Sequence, residues 1–438
     1  MKLSTIIWVG IIVVLIFMLC AFWALILSGS FPSVLSLLPT NTPTATNTPA
    51  ATATPTSTPT PEATATSTPT PSMTPTATRE PTSTPLPTAP FPTPQPIGDI
   101  EERPLKIGYM VLQDENWDIY VADADGDNAT NISDDPGFDG FPSWSAEANR
   151  LTWVTGRFGE GAEVVVADIE GNKLSNISNE VNTDDVLPVW SPNGQFLSYI
   201  SNRFRDGEVM VSSTDGSTYN LSDSESEDVF FDWSPACAEV QDGDTWDDCL
   251  VLFGSSRNPD SGGLPGEFTP FLISADGGNF TFAKDSDLKV LEAIFSPDGT
   301  QIAYLKQDRQ TKVIDIFTLD LDTQEETQLT DDDTGKANIA WSPKGDLIGY
   351  VGLVGEDLDP NDIYTVTVSD GEVTRLTSVV DRDALNGDFA WSPDGSQILF
   401  STLRDGNPEI YVMDADGDNP TNLTNTPQGV EIEGFWID

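Results

Sequence analysis

From Leu105 to the C-terminus the chain is a succession of short runs in which apolar residues alternate with polar ones, each closed by Asp, Asn or Gly. Near the C-terminus, Phe389-Ala390-Trp391 ends one run and Ser392-Pro393-Asp394-Gly395 supplies turn residues. A second run begins near Gln397 and a third is Glu409 to Met413. The segment Asp414 to Gly417 is another turn, followed by a short last run at Asn422-Leu423-Thr424. Period-two alternation bounded by Asp-Gly pairs predicts four short antiparallel strands joined by hairpins. The same order recurs over residues 188–222 and, with variations, over 294–330 and 340–377.

The repeat has an aromatic anchor, in most copies Trp followed by Ser-Pro. The anchors are Trp144, Trp190, Trp233, Phe295, Trp341, Trp391 and Trp436, separated by 46, 43, 62, 46, 50 and 45 residues. An all-β repeat of this length is one blade of a β-propeller. A large aromatic at one place per blade fills the wedge between neighbouring sheets, so the anchors read as core. The chain ends decide the closure. Leu105 to Tyr109 matches a second strand that has no first strand before it, while Gly434-Phe435-Trp436 is a first strand with only Ile437 and Asp438 after it. Six complete repeats plus one blade assembled from both ends predict an all-β, seven-bladed propeller of four-stranded blades, six blades being the alternative count. Pairing the termini also removes an open sheet edge.

The repeated Trp-Ser-Pro-Asp-Gly, the Ile-Tyr-Val-Met-Asp-Ala-Asp-Gly of residues 410–417 and the Asn-Leu-Thr that follows resemble the repeat of TolB-type propellers, over roughly residues 105 to 438. That resemblance implies a periplasmic interaction platform of the kind that partners a lipoprotein in the Tol–Pal envelope system. The chain departs from the family in having a stalk and an apolar segment in place of an N-terminal α/β domain, and in its seven blades rather than six. Propeller membership is therefore implied, and Tol–Pal function is not.

Residues 1–38 are of different character. Ile6 to Leu27 are 22 successive residues without a charge, long enough to span a bilayer as a helix. Lys2 is the only charge before them and none follows until Glu62, which predicts a single-pass signal-anchor with the N-terminus inside and the body extracytoplasmic. The span exceeds a usual signal core and no small-x-small site follows at once, so retention is favoured over cleavage. Cys20, preceded by Met18-Leu19, does not fit a lipoprotein cleavage site. Residues 39–96 hold 21 Thr and 16 Pro in 58 positions, a linker with almost nothing to bury. As polyproline helix, at about 3.1 Å per residue, it would reach at most roughly 180 Å. The boundaries expected are thus 1–38 anchor, 39–100 linker and 101–438 propeller.

Cys237 and Cys249 flank an enlarged hairpin in the longest repeat. The placement predicts a structural disulfide, which needs the two Cα atoms within about 7 Å and an oxidising compartment. Residues 101–438 carry 18 basic against 67 acidic side chains, a net −49. Nucleic acid and anionic lipid are poor partners for such a surface. Much of the excess is turn chemistry and solubility. A sharper reading gathers Asp139, Asp184, Asp185, Asp228, Glu292, Asp388, Glu431 and Glu433, each three to six residues before an anchor, around one mouth of the central channel. There they would attract a cation or a basic partner loop. The segments Asp123-Ala124-Asp125-Gly126-Asp127 and Asp414-Ala415-Asp416-Gly417-Asp418 start like calcium loops. They lack the Gly at position six and the Glu at position twelve, and they lie where each repeat needs a turn, so no cofactor is expected and Ca²⁺ is the weak exception.

Arg157, Arg203, Arg257 and Arg404 recur after the second strand, placed to bond turn carbonyls or carboxylates. Asn-x-Ser/Thr triplets at Asn131, Asn176, Asn220, Asn279 and Asn422 fall on the last strand of each blade. They would be glycan acceptors only in a cell that glycosylates them. The chain has no His, which removes the Ser-His-Asp and Cys-His arrangements, and no Gly-x-Ser-x-Gly elbow is present. Catalysis is not expected. The function expected is a membrane-anchored envelope module that binds or scaffolds surface proteins, the alternative being a propeller that binds glycans or hydrolyses them with carboxylates.

Overall fold

In the computed structural model, residues 104–438 are described apart from positions 160, 181, 205, 214–217, 225, 241–248, 257–267, 276, 278–279, 285–287, 309, 354–361, 379–385 and 427–428. The expected anchor and linker lie outside the described residues. Among the described residues no helix is long and apolar enough to cross a membrane.

Seven four-stranded antiparallel sheets form the blades of a propeller. Blade 1 joins Val430–Ile437 from the C-terminus to Lys106–Gln113, Asn116–Asp123 and Thr130–Asn131. Blades 2 to 7 follow in chain order, with first strands Asp139–Ser145, Asp185–Trp190, Asp228–Trp233, Glu292–Phe295, Gly335–Trp341 and Asn386–Trp391. The closure pairs Lys106 with Ile437 and Leu112 with Val430, so the sheet edge at each terminus is covered by the other. First strands of most successive blades touch one another, which places them innermost.

The Ser-Pro-Asp-Gly turn explains its own residue types. The hydroxyls of Ser296, Ser342 and Ser392 accept the backbone N–H of Gln301, Leu347 and Gln397 across the turn. The same hydroxyl of Ser392 donates to Asp394 at 2.7 Å, and Gly395 takes φ +68°, a conformation that a side chain resists. The anchor indoles reach across blades. Trp391 Nε1 donates to the carbonyl of Ala340 at 3.4 Å, Trp436 to Ala390 at 3.2 Å, and Trp233 to Val189 at 3.4 Å. In each case the acceptor is the residue just before the previous blade's anchor. The apolar core is correspondingly divided between the blades. Ile107, Tyr109 and Val111 of blade 1, for example, pack with Leu399 and Ile410 of blade 7.

A second latch ties the short outer strand to the third. Ser133, Ser178, Ser222, Thr330, Thr377 and Thr424 each receive a backbone N–H, from Ile119, Val164, Val209, Ile316, Ile363 and Ile410. Each hydroxyl also donates to a carboxylate at the start of the third strand: Asp118, Glu163, Glu208, Asp315, Asp362 and Glu409. Asn131, Asn176, Asn220 and Asn422, two residues before four of these hydroxyls, each accept an N–H three residues on at 2.9 Å. These four Asn-x-Ser/Thr triplets are accounted for by Asx-turn and strand-latch chemistry. Asn279 lies outside the described residues.

Cys237, in the short 3₁₀ helix Pro235–Glu239, is bonded to Cys249 just before the strand Leu250–Ser255, with Cα atoms 4.3 Å apart. Both are fully buried in the core shared by blades 3 and 4.

Candidate functional site

The innermost strands carry a bulge in blades 2, 3, 4, 6, 7 and 1. Phe141, Leu187, Asn338 and Glu433 take φ values of 54°, 56°, 52° and 54° at these irregularities. An extra residue in one strand reverses the side-chain alternation beyond it. Carboxylates only two residues apart on the first strands therefore end in different surroundings, and the eight acids do not form one exposed ring.

Those five residues before an anchor are buried and engaged. Asp139, fully buried, accepts from Trp153 Nε1 at 2.9 Å and from both oxygens' contacts with Arg157 Nη2 at 3.1 and 3.2 Å. Asp185 holds Arg203 Nη2 in the same way, at 3.1 and 3.2 Å. Burial pushes both carboxyls up from their ordinary value, against the pull of the guanidinium beside each. Arg157 lies 5.9 Å over the ring of Trp153 and Arg203 6.0 Å over that of Tyr199. Asp228 accepts from Ser224 at 2.7 Å, and Arg257 lies outside the described residues. In blade 7 the matching position is Asn386, and Arg404 stacks instead over Phe400 and Tyr411. Blade 6 inverts the charge: buried Lys336 reaches Asp332 at 2.9 Å and Asp315 at 3.3 Å.

Glu431 is the exception in blade 1. It is buried, accepts from Thr426 Oγ1 at 2.6 Å, and its other oxygen has no hydrogen-bond partner among the described residues. It pairs across the sheet with Val111, and Gln113 stands where blades 2 and 3 place Arg. Burial pushes its carboxyl up to about 7, with Glu409 adding repulsion.

The acids three residues before an anchor belong to the innermost ring of positions: Phe141, Leu187, Phe230, Glu292, Asn338, Asp388 and Glu433. Blades 2 to 4 are apolar at this level, and blades 5, 7 and 1 are acidic. Glu292 Oε1 accepts the N–H of Ile339 in the next blade at 3.1 Å, and Asp388 interacts with the backbone N–H groups of Glu433 and Gly434. Asp232, which sequence reasoning did not single out, does the same with Phe295 at 2.8 Å. Its type is unremarkable in an Asp-rich chain, so no signal marked it. These carboxylates staple one innermost strand to the next. Burial raises Glu292 and Asp232 to about 7, and raises Asp388. Glu433 rises to about 8 through burial and the nearby Asp388. Asp184, on the loop before blade 3, accepts from Asn202 at 3.0 Å and from the N–H of Ala162 at 3.3 Å, tying blades 2 and 3 together.

The two calcium-like segments are hairpin turns with their carboxylates engaged. Asp123 pairs with Lys106 at 2.5 Å and accepts from Asn128 at 2.6 Å, while Asp414 accepts from Asn419 at 2.7 Å. Asp125 and Asp416 accept the N–H of Asp127 and Asp418. Among the described residues no three Asp, Glu, Cys or His side chains converge as a metal site requires.

What sequence reading missed lies at the hairpins between second and third strands. Phe158 and Phe204 are 51% and 54% exposed, each directly after the recurring Arg of its blade. The repeated Arg-Phe pair was the available signal.

Comparison with known proteins follows the fold. Residues 266–434 match the TolB β-propeller domain model. The Tol-Pal system protein TolB of Hahella chejuensis is 33% identical over 78 residues, 18% of this chain and 18% of that protein. The match spans 28% or less of the length of the first curated relatives. Among solved structures, a puromycin hydrolase superposes with a TM-score of 0.57 at 13% identity, covering 73% of this chain and 52% of that one. The oligogalacturonate lyase of Vibrio parahaemolyticus superposes with a TM-score of 0.52 at 15% identity, covering 69% and 84%. At these identities the structures share the fold alone. The chain is a seven-bladed β-propeller whose residues 266–434 match the TolB propeller domain.

Proposed function

We propose that the chain is an extracytoplasmic interaction module, held at the cell membrane by its N-terminal apolar segment and reaching its partners across the Thr/Pro-rich linker. Its partners are other proteins of the envelope. The observation that carries this reading is the division of labour among the acids. Asp139, Asp185, Glu292 and Asp388 hold strands and blades together, so recognition falls to the loops that ring the scaffold. Recognition residues on loops held by a rigid frame are a common arrangement. The charge of the propeller favours fast, salt-sensitive capture of a basic protein surface.

The test is affinity capture from solubilised native envelope with the purified full-length protein as bait, at low and moderate salt and with free sugars as competitors. A dominant protein released by salt and untouched by sugar is the expected result. Recovery of polysaccharide that free sugar displaces would replace this reading with the glycan-binding one.

A further inference from the structure

Among the described residues three large hydrophobic side chains are strongly exposed, Phe158, Phe204 and Val373. Two of them occupy the same position in consecutive blades. Each lies three residues beyond the partner of the first-strand Asp, Thr155 opposite Asp139 in blade 2 and Ser201 opposite Asp185 in blade 3. The corresponding residue of blade 1, which borders blade 2, is Asp114, so the apolar pair meets acid on that side.

The loops around this pair alternate in character. Arg157 Nη2 donates to the carbonyl of Ser133 at 3.1 Å, which sets the Phe158 loop against the loop carrying Asp134 and Asp135. On its other side a Cβ on Gly161 would fall 2.1 Å from the carbonyl oxygen of Thr183, so the same loop lies against Glu180 and Asp184. Asn202 bonds Asp184, which brings the strand end carrying Phe204 against that acidic loop from the far side. Beyond Phe204, Gly207 lies against Asp228 and Glu227, at the end of the loop that begins with Asp223. The order is acid, Phe158, acid, Phe204, acid. Arg157 and Arg203 are bound to buried Asp139 and Asp185. Asp134, Glu180 and Asp223 are exposed, and no described Lys or Arg forms an ion pair with them.

We propose that this strip across blades 2 and 3 is a docking surface for a cationic polypeptide segment bearing two apolar side chains. The inference rests on the interaction-module reading and names its surface and the chemistry of its partner. Each Phe offers an aromatic anchor of the kind that dominates interface energetics, and the flanking carboxylates select for Lys and Arg and against acid. A second copy of this chain is disfavoured as occupant, because two surfaces of this charge repel. Anionic lipid is disfavoured on the same ground.

The purified full-length protein is titrated into three labelled probes: a repeat peptide of Lys and Leu, one of Lys and Ser, and one of Glu and Leu. The Lys-Leu probe binds best, with affinity that falls as salt rises. The double variant Phe158→Ser/Phe204→Ser binds it on the order of tenfold or more weaker, approaching its affinity for the Lys-Ser probe. The triple variant Asp134→Asn/Glu180→Gln/Asp223→Asn loses most of the salt dependence. Both sets of side chains are exposed, so unchanged melting curves establish that the fold is kept. Equal binding of Lys-Leu by wild type and the Phe variant overturns the proposal. Envelope capture separates its failure from that of the broader reading. If the Phe variant captures the same salt-sensitive protein as wild type, the interaction module stands and this surface is refuted. If wild type captures no protein while the Lys-Leu preference still depends on the two Phe, the surface stands and the envelope reading fails.

Discussion

The indole of Trp436 donates to the carbonyl of Ala390 at 3.2 Å, joining the last strand of the chain to blade 7 as Trp391 joins blade 7 to Ala340 of blade 6. Ring closure therefore uses the same inter-blade latch as the interior blades. Trp436 also packs in the core shared by blades 7 and 1. Trp436→Ala should cost about 3–5 kcal/mol, the range for removing a large core aromatic. Denaturant melts of the variant check this, and a loss below about 1 kcal/mol would mean that the closing strand is not needed for the ring.

Glu431 gives the closing blade a pH dependence of definite sign. Its carboxyl stands at about 7 in the folded protein against an ordinary value of 4.5, so the folded state holds its proton more tightly than the unfolded state. The groups that face it are Tyr109 and Tyr120 of blade 1, Glu409 of blade 7 and the Thr426 hydroxyl. Its contribution is fully present below about pH 4.5 and is lost as pH rises through about 7, on the order of 3 kcal/mol in all. Glu431→Gln should match wild type at low pH and exceed it at pH 8, and melting across that range reads the difference. Asp232 and Glu292, also near 7, and Glu433, near 8, act in the same direction. The wild-type propeller should accordingly be more stable near pH 5 than near pH 8.

Asp139 and Arg157 form a pair in which the carboxylate is fully buried and the guanidinium nearly so. Asp139→Ala strands the Arg157 charge and should cost about 3–5 kcal/mol. A double-mutant cycle with Arg157→Met should recover much of that loss. Additive effects would show that the pair does not act as a unit.

The Cys237–Cys249 bond closes a short loop within the blade 3–4 core. Chain-entropy arguments give such a loop about 3 kcal/mol. Reductant should lower the melting temperature of the wild type and leave a Cys237→Ala/Cys249→Ala variant unchanged.

The blade count and the closure were legible because Trp-Ser-Pro-Asp-Gly is itself a turn device, with Ser392, Asp394 and Gly395 each required by local backbone geometry. The acidic positions were visible too, but their destinations were not. Asp139 and Arg157 are 18 residues apart, and each was noticed as a separate recurrence rather than as the other's partner. The first-strand bulges, at Leu187 in blade 3 and Glu433 in blade 1, add a residue that simple alternation does not count, so acids such as Asp185 and Glu433 part company although both precede a Trp closely. Exposure of Phe158 and Phe204 was signalled only by the repeated Arg-Phe pair, because residues at the hairpin between second and third strands fall outside the strand alternation.

The most direct test of the account replaces Phe158, Phe204 or Val373 with a photo-cross-linking phenylalanine analogue in the full-length protein in its native cell. Val373 is the exposed hydrophobic on the outermost strand of blade 6, Val373–Arg375, away from the proposed strip. Adducts from positions 158 and 204 to the same envelope protein, with none from 373, are the predicted result. No adduct from either Phe position, or the same adducts from all three, would contradict it.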